Sequence, residues 1–294
     1  MAEREAHVVA VLGAGTMGHG IAQVCAQAGF ETRLADVDVP VAAAGRAKVE
    51  QTLARLVGKG KLSADAAAAT LGRLLAVDAD AACAGATIVV EAAPEKMELK
   101  VDLLSRAARH ADARALFASN TSSLSITELG RRVGAPERTI GAHFFNPPPV
   151  MELLELVRGV GTSDETIDRA LAFAAAIGKT PIVIRDFPGF ATSRLGVCIG
   201  AEAIRMLEQG VGKVADIDRA MELGYRHPMG PLKLGDLVGL DVRLAILEHL
   251  HEELGEVFRP PALLRQMVRA GRLGKKTGHG FYRWTDAGAE PSDG

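Results

Sequence analysis

Apolar positions along the chain change their period several times, and each change marks an element. His7-Val-Val-Ala-Val-Leu12 is a short, nearly continuous β-branched run, which predicts a buried strand. Glycines interrupt it; Ile21 to Ala28 then takes up helical spacing, which Gly29 would end. Thr32 to Ala35 predicts a second strand, closing at Asp36. Residues 41–57 and 64–75 carry helical spacing and are joined by Gly58-Lys-Gly-Lys61, a helical hairpin over about 41–75. Ala86–Val90, Leu116–Ser119 and Thr139–Phe145 read as further strands. Pro94-Glu95 turns into a helix carrying Lys100, and another helix starts at Ile126. Pro147, Pro148 and Pro149 cannot donate to a ladder, so the chain must leave the sheet there, and Val150–Val157 begins a new extended run. From Gly189 onward only helical spacing remains: 191–209, ended by Gly210, then 215–223, 240–254 and 262–270. Strands alternating with helices predict an α/β domain over residues 1–188. The remainder predicts an all-α domain over 189–294.

The glycines in the first interruption have a particular spacing, Gly13-Ala-Gly15-Thr-Met-Gly18. Strand, glycines, helix, second strand and an acid 18 residues beyond the last glycine follow one another in the dinucleotide-binding order, so the α/β domain is read as Rossmann-type. Gly13 permits the tight turn, Gly15 lets the backbone approach a pyrophosphate, and Gly18 lets the helix pack against the strand. Free N–H groups near Thr16 and Met17 would face the phosphates. Asp36 would accept hydrogen bonds from ribose hydroxyls and repel a 2′-phosphate, and Asp38 adds to that repulsion. NAD is therefore expected rather than NADP.

Composition narrows the class. The 294 residues are 48% hydrophobic and 24% charged with a net charge of −2, which points away from nucleic acid or a membrane surface as partner. No apolar run approaches a membrane span, and Glu3-Arg4-Glu5 before the first strand argues against a signal peptide. Cys25, Cys83 and Cys198 are scattered, as expected of a reducing cytoplasm. His249 and His251 lie two apart on one predicted helix and so do not share a face, which excludes them as a metal pair; no metal is expected.

Two clusters carry candidate chemistry. Asn120-Thr-Ser122-Ser123 follows a strand, where parallel sheets bind ligands, and the same residues would cap the helix from Ile126. His143 closes another strand, and Glu152 and Glu155 lie on the extended run beyond the prolines, on opposite faces if that run is a strand. A glutamate turned inward is costly alone, but a histidine across the turn would compensate it and gain a fixed tautomer as a general base. The alternative is a satisfied core histidine with two solvent-facing glutamates. The basic hairpin tip reads either as a solvated end or as a contact to an anionic substrate tail.

Together the residues resemble the L-3-hydroxyacyl-CoA dehydrogenase family, most of all its bacterial 3-hydroxybutyryl-CoA members. The resemblance rests on Gly13–Gly18, Ser119-Asn-Thr-Ser-Ser123, His143-Phe-Phe-Asn-Pro147, Pro188-Gly-Phe190, Pro228-Met-Gly-Pro231, Gly274-Lys-Lys-Thr-Gly278 and Gly280-Phe-Tyr282, in order over about residues 7–284. It implies reversible NAD-dependent oxidation of an (S)-3-hydroxyacyl-CoA, short-chain by that likeness. It implies His143 as base, Glu155 as its orienting carboxylate, and Ser122 and Asn146 near the substrate's 3-oxygen and the nicotinamide. Glu95, Lys100 and Lys276 match cofactor-lining positions; Thr52 and Lys59 match the hairpin's coenzyme A contacts. A homodimer through the helical domain, which would also shape the substrate cleft, is implied too. Two positions depart from the pattern: Ser193 stands where the family commonly has asparagine near the reaction centre, and His279 where it often has glutamate. Competing readings keep the scaffold but change the substrate, to a 3-hydroxyadipyl thioester or a sugar acid, or remove turnover, leaving an NAD-binding structural or sensor protein. Lys59 argues against a free acid, which has no distant phosphates to reach. The assembled His143, Glu155, Ser122 and Asn146 argue against lost turnover.

Overall fold

The computed structural model describes residues 7–292, in two units that divide between Phe187 and Pro188. The first unit is built on one eight-stranded sheet. Its strands are β1 (Val8–Leu12), β2 (Glu31–Ala35), β3 (Leu74–Ala76), β4 (Ile88–Glu91), β5 (Leu116–Ser119), β6 (Thr139–Phe144), β7 (Leu153–Arg158) and β8 (Thr180–Arg185). They lie in the order β3-β2-β1-β4-β5-β6-β7-β8. All neighbours run parallel except β6 and β7, which are antiparallel. The helices are α1 (Gly18–Gln27), α2 (Val39–Gly58), α3 (Ala64–Arg73), α4 (Ala79–Cys83), α5 (Met97–His110), α6 (Ile126–Val133) and α7 (Asp164–Ala176).

Burial on both faces explains the unbroken apolar runs in the sequence. Val9 and Val11 of β1 pack with Ile21, Leu34, Leu53, Ile140 and Phe173 on one face. Ala10 and Leu12, pointing the other way, pack with Leu104, Ala107, Phe117 and Leu129. Strand order reverses between β1 and β4, so a crevice opens outside their carboxyl ends. The ends are level, with Leu12 beside both Ala35 and Glu91, and Glu91 beside Ser119.

Several stretches of this unit differ from the spacing. The helix expected to reach residue 75 stops at Arg73, and Leu74–Ala76 join the sheet edge beside β2. Arg46 of α2 donates to the carbonyls of Leu71 (3.2 Å) and Leu74 (2.8 Å), tying this junction in place. The run expected from Val150 enters the ladder only at Leu153, because Val150 and Met151 both donate to the Pro147 carbonyl and form a turn. The short helix α4, the helix α7 and the edge strand β8 have no counterpart among the elements predicted above.

The second unit contains α8 (Thr192–Glu208), α9 (Val214–Gly224), α10 (Pro231–Val238), α11 (Leu240–Leu254) and α12 (Ala262–Arg269). Val197, Ile204, Ile217, Leu247, Leu250 and Phe258 form its core. The hairpin β9 (Tyr282–Thr285) and β10 (Gly288–Pro291) follows, where the spacing shows no strand. Buried Asp236 of α10 holds it, accepting from the Phe281 N–H (2.9 Å), the Tyr282 N–H (2.8 Å) and Trp284 Nε1 (3.0 Å). No helix among the described residues is long and apolar enough to cross a membrane.

Candidate active site

The glycine loop between β1 and α1 has the geometry its spacing implies. Gly13 has φ of +107°, and a Cβ there would stand 2.6 Å from the Ala92 carbonyl oxygen, so only glycine fits. A Cβ on Gly18 would fall 1.6 Å from the Gly13 oxygen. Gly15 differs: nothing lies within 4 Å of where its Cβ would be, and Gly15 and Thr16 are exposed. That open backbone at the start of α1, where Met17 is the N-cap, suits a pyrophosphate. Asp36 stands at the end of β2. Its Oδ2 accepts from the Ala14 N–H (2.6 Å) and its Oδ1 from the Val37 N–H (2.7 Å), which fixes the carboxylate beside the loop. Asp38 caps α2 through the Val41 N–H (2.8 Å). The loop and the acid fit a dinucleotide whose ribose hydroxyls share the Asp36 carboxylate.

Next along the edge lies a buried ionic cluster. Lys100 of α5 has no exposed surface; its Nζ donates to Glu91 Oε1 (2.9 Å), Glu91 Oε2 (3.0 Å) and the Ala93 carbonyl (3.1 Å). Glu95 Oε2 lies 3.4 Å from the same ammonium. Lys100, expected to line the cofactor, is covered by these oxygens, which surround its ammonium. Glu91 was not singled out in the sequence, although its place at the end of an apolar strand was the available signal. It also accepts from Ser119 Oγ (2.5 Å). Glu95 is partly exposed, and its Oε1 accepts from Thr121 Oγ1 (2.6 Å), the Ser122 N–H (3.0 Å) and Ser123 Oγ (3.0 Å). Burial pushes the Glu95 carboxyl up, but the Thr121 hydroxyl, the Lys100 ammonium and the Ser122 and Ser123 donors outweigh it and hold it below the usual range. The cluster thus fixes the Thr121–Ser123 loop, and Ser122 with it.

On the next strand, His143 and Glu155 face each other. Antiparallel β6 and β7 place them directly opposite in the ladder. His143 Nδ1 lies 2.7 Å from Glu155 Oε2, with the carboxylate fully buried and the imidazole 12% exposed. Since a carboxylate only accepts, Nδ1 carries the hydrogen, and in the neutral ring the lone pair belongs to Nε2. Of the two glutamates considered, Glu155 is thus the inward one; Glu152 precedes β7 and is exposed. Asn120, at the end of β5, accepts from the Phe144 N–H (2.9 Å) and ties the His143 strand to its neighbour.

The remaining candidates are placed separately. Asn146 is exposed and opens the turn after β6, through a cis bond to Pro147. Thr52 lies on α2, its hydroxyl donating to the Lys48 carbonyl (2.9 Å), and Lys59 is the exposed C-cap of that helix. In the second unit, Ser193 is half-buried in the first turn of α8, and Lys276 donates to Asp241 Oδ2 (2.6 Å). His279 pairs through its backbone with Gly274, so that ladder does not dictate its side chain.

The sheet order, the glycine loop and the Asp36 carboxylate define a Rossmann-type dinucleotide-binding fold. Residues 8–187 match the 3-hydroxyacyl-CoA dehydrogenase NAD-binding domain, and residues 189–284 match the C-terminal domain of the same enzymes. The chain belongs to the 3-hydroxyacyl-CoA dehydrogenase family and is an NAD-dependent dehydrogenase. It is 44% identical over 285 residues to the 3-hydroxybutyryl-CoA dehydrogenase of Bradyrhizobium diazoefficiens, covering 97% of each chain. It is 43% identical over 279 residues to a probable 3-hydroxybutyryl-CoA dehydrogenase of Bacillus subtilis, covering 95% of this chain and 97% of that one. Among solved structures, (S)-3-hydroxybutyryl-CoA dehydrogenase PaaH1 from Ralstonia eutropha matches with a TM-score of 0.90 at 41% identity, over 95% of this chain and 99% of that one.

Proposed function

We propose that the protein interconverts short-chain (S)-3-hydroxyacyl-CoA and 3-ketoacyl-CoA thioesters, with His143 as general acid and base. The observation that carries this reading is the 2.7 Å bond between His143 Nδ1 and a fully buried Glu155 carboxylate. In oxidation, His143 Nε2 takes the proton of the 3-hydroxyl; in reduction it returns it to the forming alkoxide. Bound NAD supplies the hydride acceptor at C3. Glu155 fixes the tautomer and favours the imidazolium by its charge. Ser122 and Asn146 hold the 3-oxygen as charge develops on it, and Glu95 with the buried Lys100 keeps Ser122 in place. Thr52 and the exposed Lys59 on the hairpin suit coenzyme A, whose phosphates are remote from the reacting carbon. Family resemblance alone supports a substrate role for Ser193 and a cofactor role for Lys276. Exposed Leu195 (63%) and Ile199 (38%) on α8, with Val242 (42%) on α11, support pairing of the helical unit with a second copy. The bacterial relatives, named for 3-hydroxybutyryl-CoA, support a cytoplasmic enzyme of fatty-acyl metabolism.

The test is consumption of NADH with acetoacetyl-CoA, beside NADPH, a long-chain 3-ketoacyl-CoA and 3-ketoadipyl-CoA. Fast loss of NADH with acetoacetyl-CoA, inhibited by free coenzyme A, is expected. A preference for 3-ketoadipyl-CoA would move the substrate to the dicarboxylic thioester, and no loss with any thioester would overturn the reading.

A further inference from the structure

Eight residues, Phe145 to Glu152, separate the strands that carry His143 and Glu155. The pairing depends on this connection, since a slip of one residue would turn Glu155 to the other face of the sheet. Within it, the Val150 and Met151 N–H groups donate to the Pro147 carbonyl (2.9 and 3.1 Å). The carbonyls of Pro148 and Met151 go to Lys179, whose Nζ lies 2.5 Å from the first and 2.7 Å from the second. Lys179 is itself anchored. Its N–H donates to the Ala174 carbonyl (2.9 Å) at the end of α7, and the Thr180 N–H donates to the Glu152 carbonyl (2.9 Å), where the turn gives way to β7. From the other side the turn rests on α1 of the glycine-loop unit: a Cβ on Gly20 would stand 2.9 Å from Pro148 Cδ and 3.3 Å from Pro149 Cδ. The titratable groups facing the ammonium are the buried Cys25 thiol on α1 and Glu152 on the turn.

We infer that Lys179 is a positioning residue for the candidate base: its ammonium closes the Pro147–Met151 turn and so holds His143 and Glu155 in register. The inference rests on the reading of His143 as the acid–base group. Two charge-assisted bonds to carbonyls fix the turn more firmly than neutral donors would. Burial weakens the hold of Lys179 on its proton, as for an ammonium seated in protein rather than left in solvent. Clamp, turn and base form one unit joined to the helix that opens the dinucleotide loop.

Lys179→Met removes the donors and keeps an apolar stem of similar length. Its kcat with acetoacetyl-CoA is expected to fall about 10- to 100-fold, the scale of a small misplacement of reacting groups, with the Kd for NAD by calorimetry unchanged. Lys179→Arg, which can still reach two carbonyls, should recover most of the rate. Proton NMR of protein labelled at histidine nitrogen supplies a readout free of substrate. The carboxylate-bound Nδ1–H of His143 should appear far downfield, vanish in His143→Gln, and be lost or broadened in Lys179→Met. Gly20→Ala displaces Pro148 from the opposite side and should weaken the same signal. Unchanged kcat and an unchanged signal in Lys179→Met and Gly20→Ala would overturn the inference. So would equal losses in the Met and Arg variants with NAD binding lost as well, since Lys179 would then be a general structural support. A wild-type protein inactive with every thioester would instead overturn the proposed reaction, while the downfield signal would still test the clamp.

Discussion

Glu155 has no exposed surface, and its carboxylate lies 2.7 Å from His143 Nδ1. A carboxylate in that position is strongly destabilising if its partner is simply removed. His143→Gln is therefore the informative change, because the glutamine amide can still donate to Glu155. Its kcat should fall by about 10²–10⁴-fold, the usual worth of acid–base help, with NAD affinity kept; turnover near that of the unmodified enzyme would sink the assignment. Glu155→Gln keeps the shape and removes the charge, so the loss should be smaller. Glu95 makes a second prediction at this scale. A carboxyl held below its ordinary range stabilises the fold at every pH above the unfolded value, and that stability is lost as pH falls through the lower folded value. In urea melts, the destabilisation by Glu95→Gln should be constant from pH 7 to about 5 and shrink below about pH 4. A difference that persists at the lowest pH would mean that the carboxylate charge is not what holds the Thr121–Ser123 loop.

The elements that announced themselves are those whose own residues decide their burial. In β1, Val8-Val-Ala-Val-Leu12 is covered on both faces, so its apolar run has no interruption, and Gly13 and Gly18 after it are required by contacts under 3 Å. The strand β3 is different: three residues cannot show a period, and Leu74–Ala76 are extended because β2 offers an edge to pair with. The hairpin β9–β10 is similar, since each strand has four residues and Asp236, 46 positions before Tyr282, supplies the acceptors that fix it. Asp236→Ala would strand three donors, each costing on the order of 1–3 kcal/mol when buried. The second unit should lose roughly 3 kcal/mol or more by that count, measured by the fluorescence of Trp284, the single tryptophan, which bonds Asp236 directly. A loss under about 1 kcal/mol would mean that water or a rearranged loop replaces the carboxylate.

For the whole molecule, the exposed apolar side chains on α8 and α11 make assembly the property to measure. Sedimentation should give twice the 30.9 kDa of one chain, and Leu195→Glu should move the equilibrium toward the single chain. A monomer at micromolar concentration would remove the proposed pairing. The sequence by itself determined the dinucleotide loop, its acid, the alternation of strand and helix around them and the mainly helical second half. These follow from local spacing, glycine sterics and periodicity, which need no partner to be legible. It also offered His143 and Glu155 but left open whether they meet, because residues 12 apart across three prolines have no fixed relation until β6 and β7 pair. Tertiary structure alone decided that pairing, the enclosure of Lys100 by Glu91, Ala93 and Glu95, and the use of Lys179 as a clamp. The physical reason is common to all three. A buried charge or an open turn is stabilised by partners that only the folded sheet brings within hydrogen-bond distance, and no local pattern encodes them.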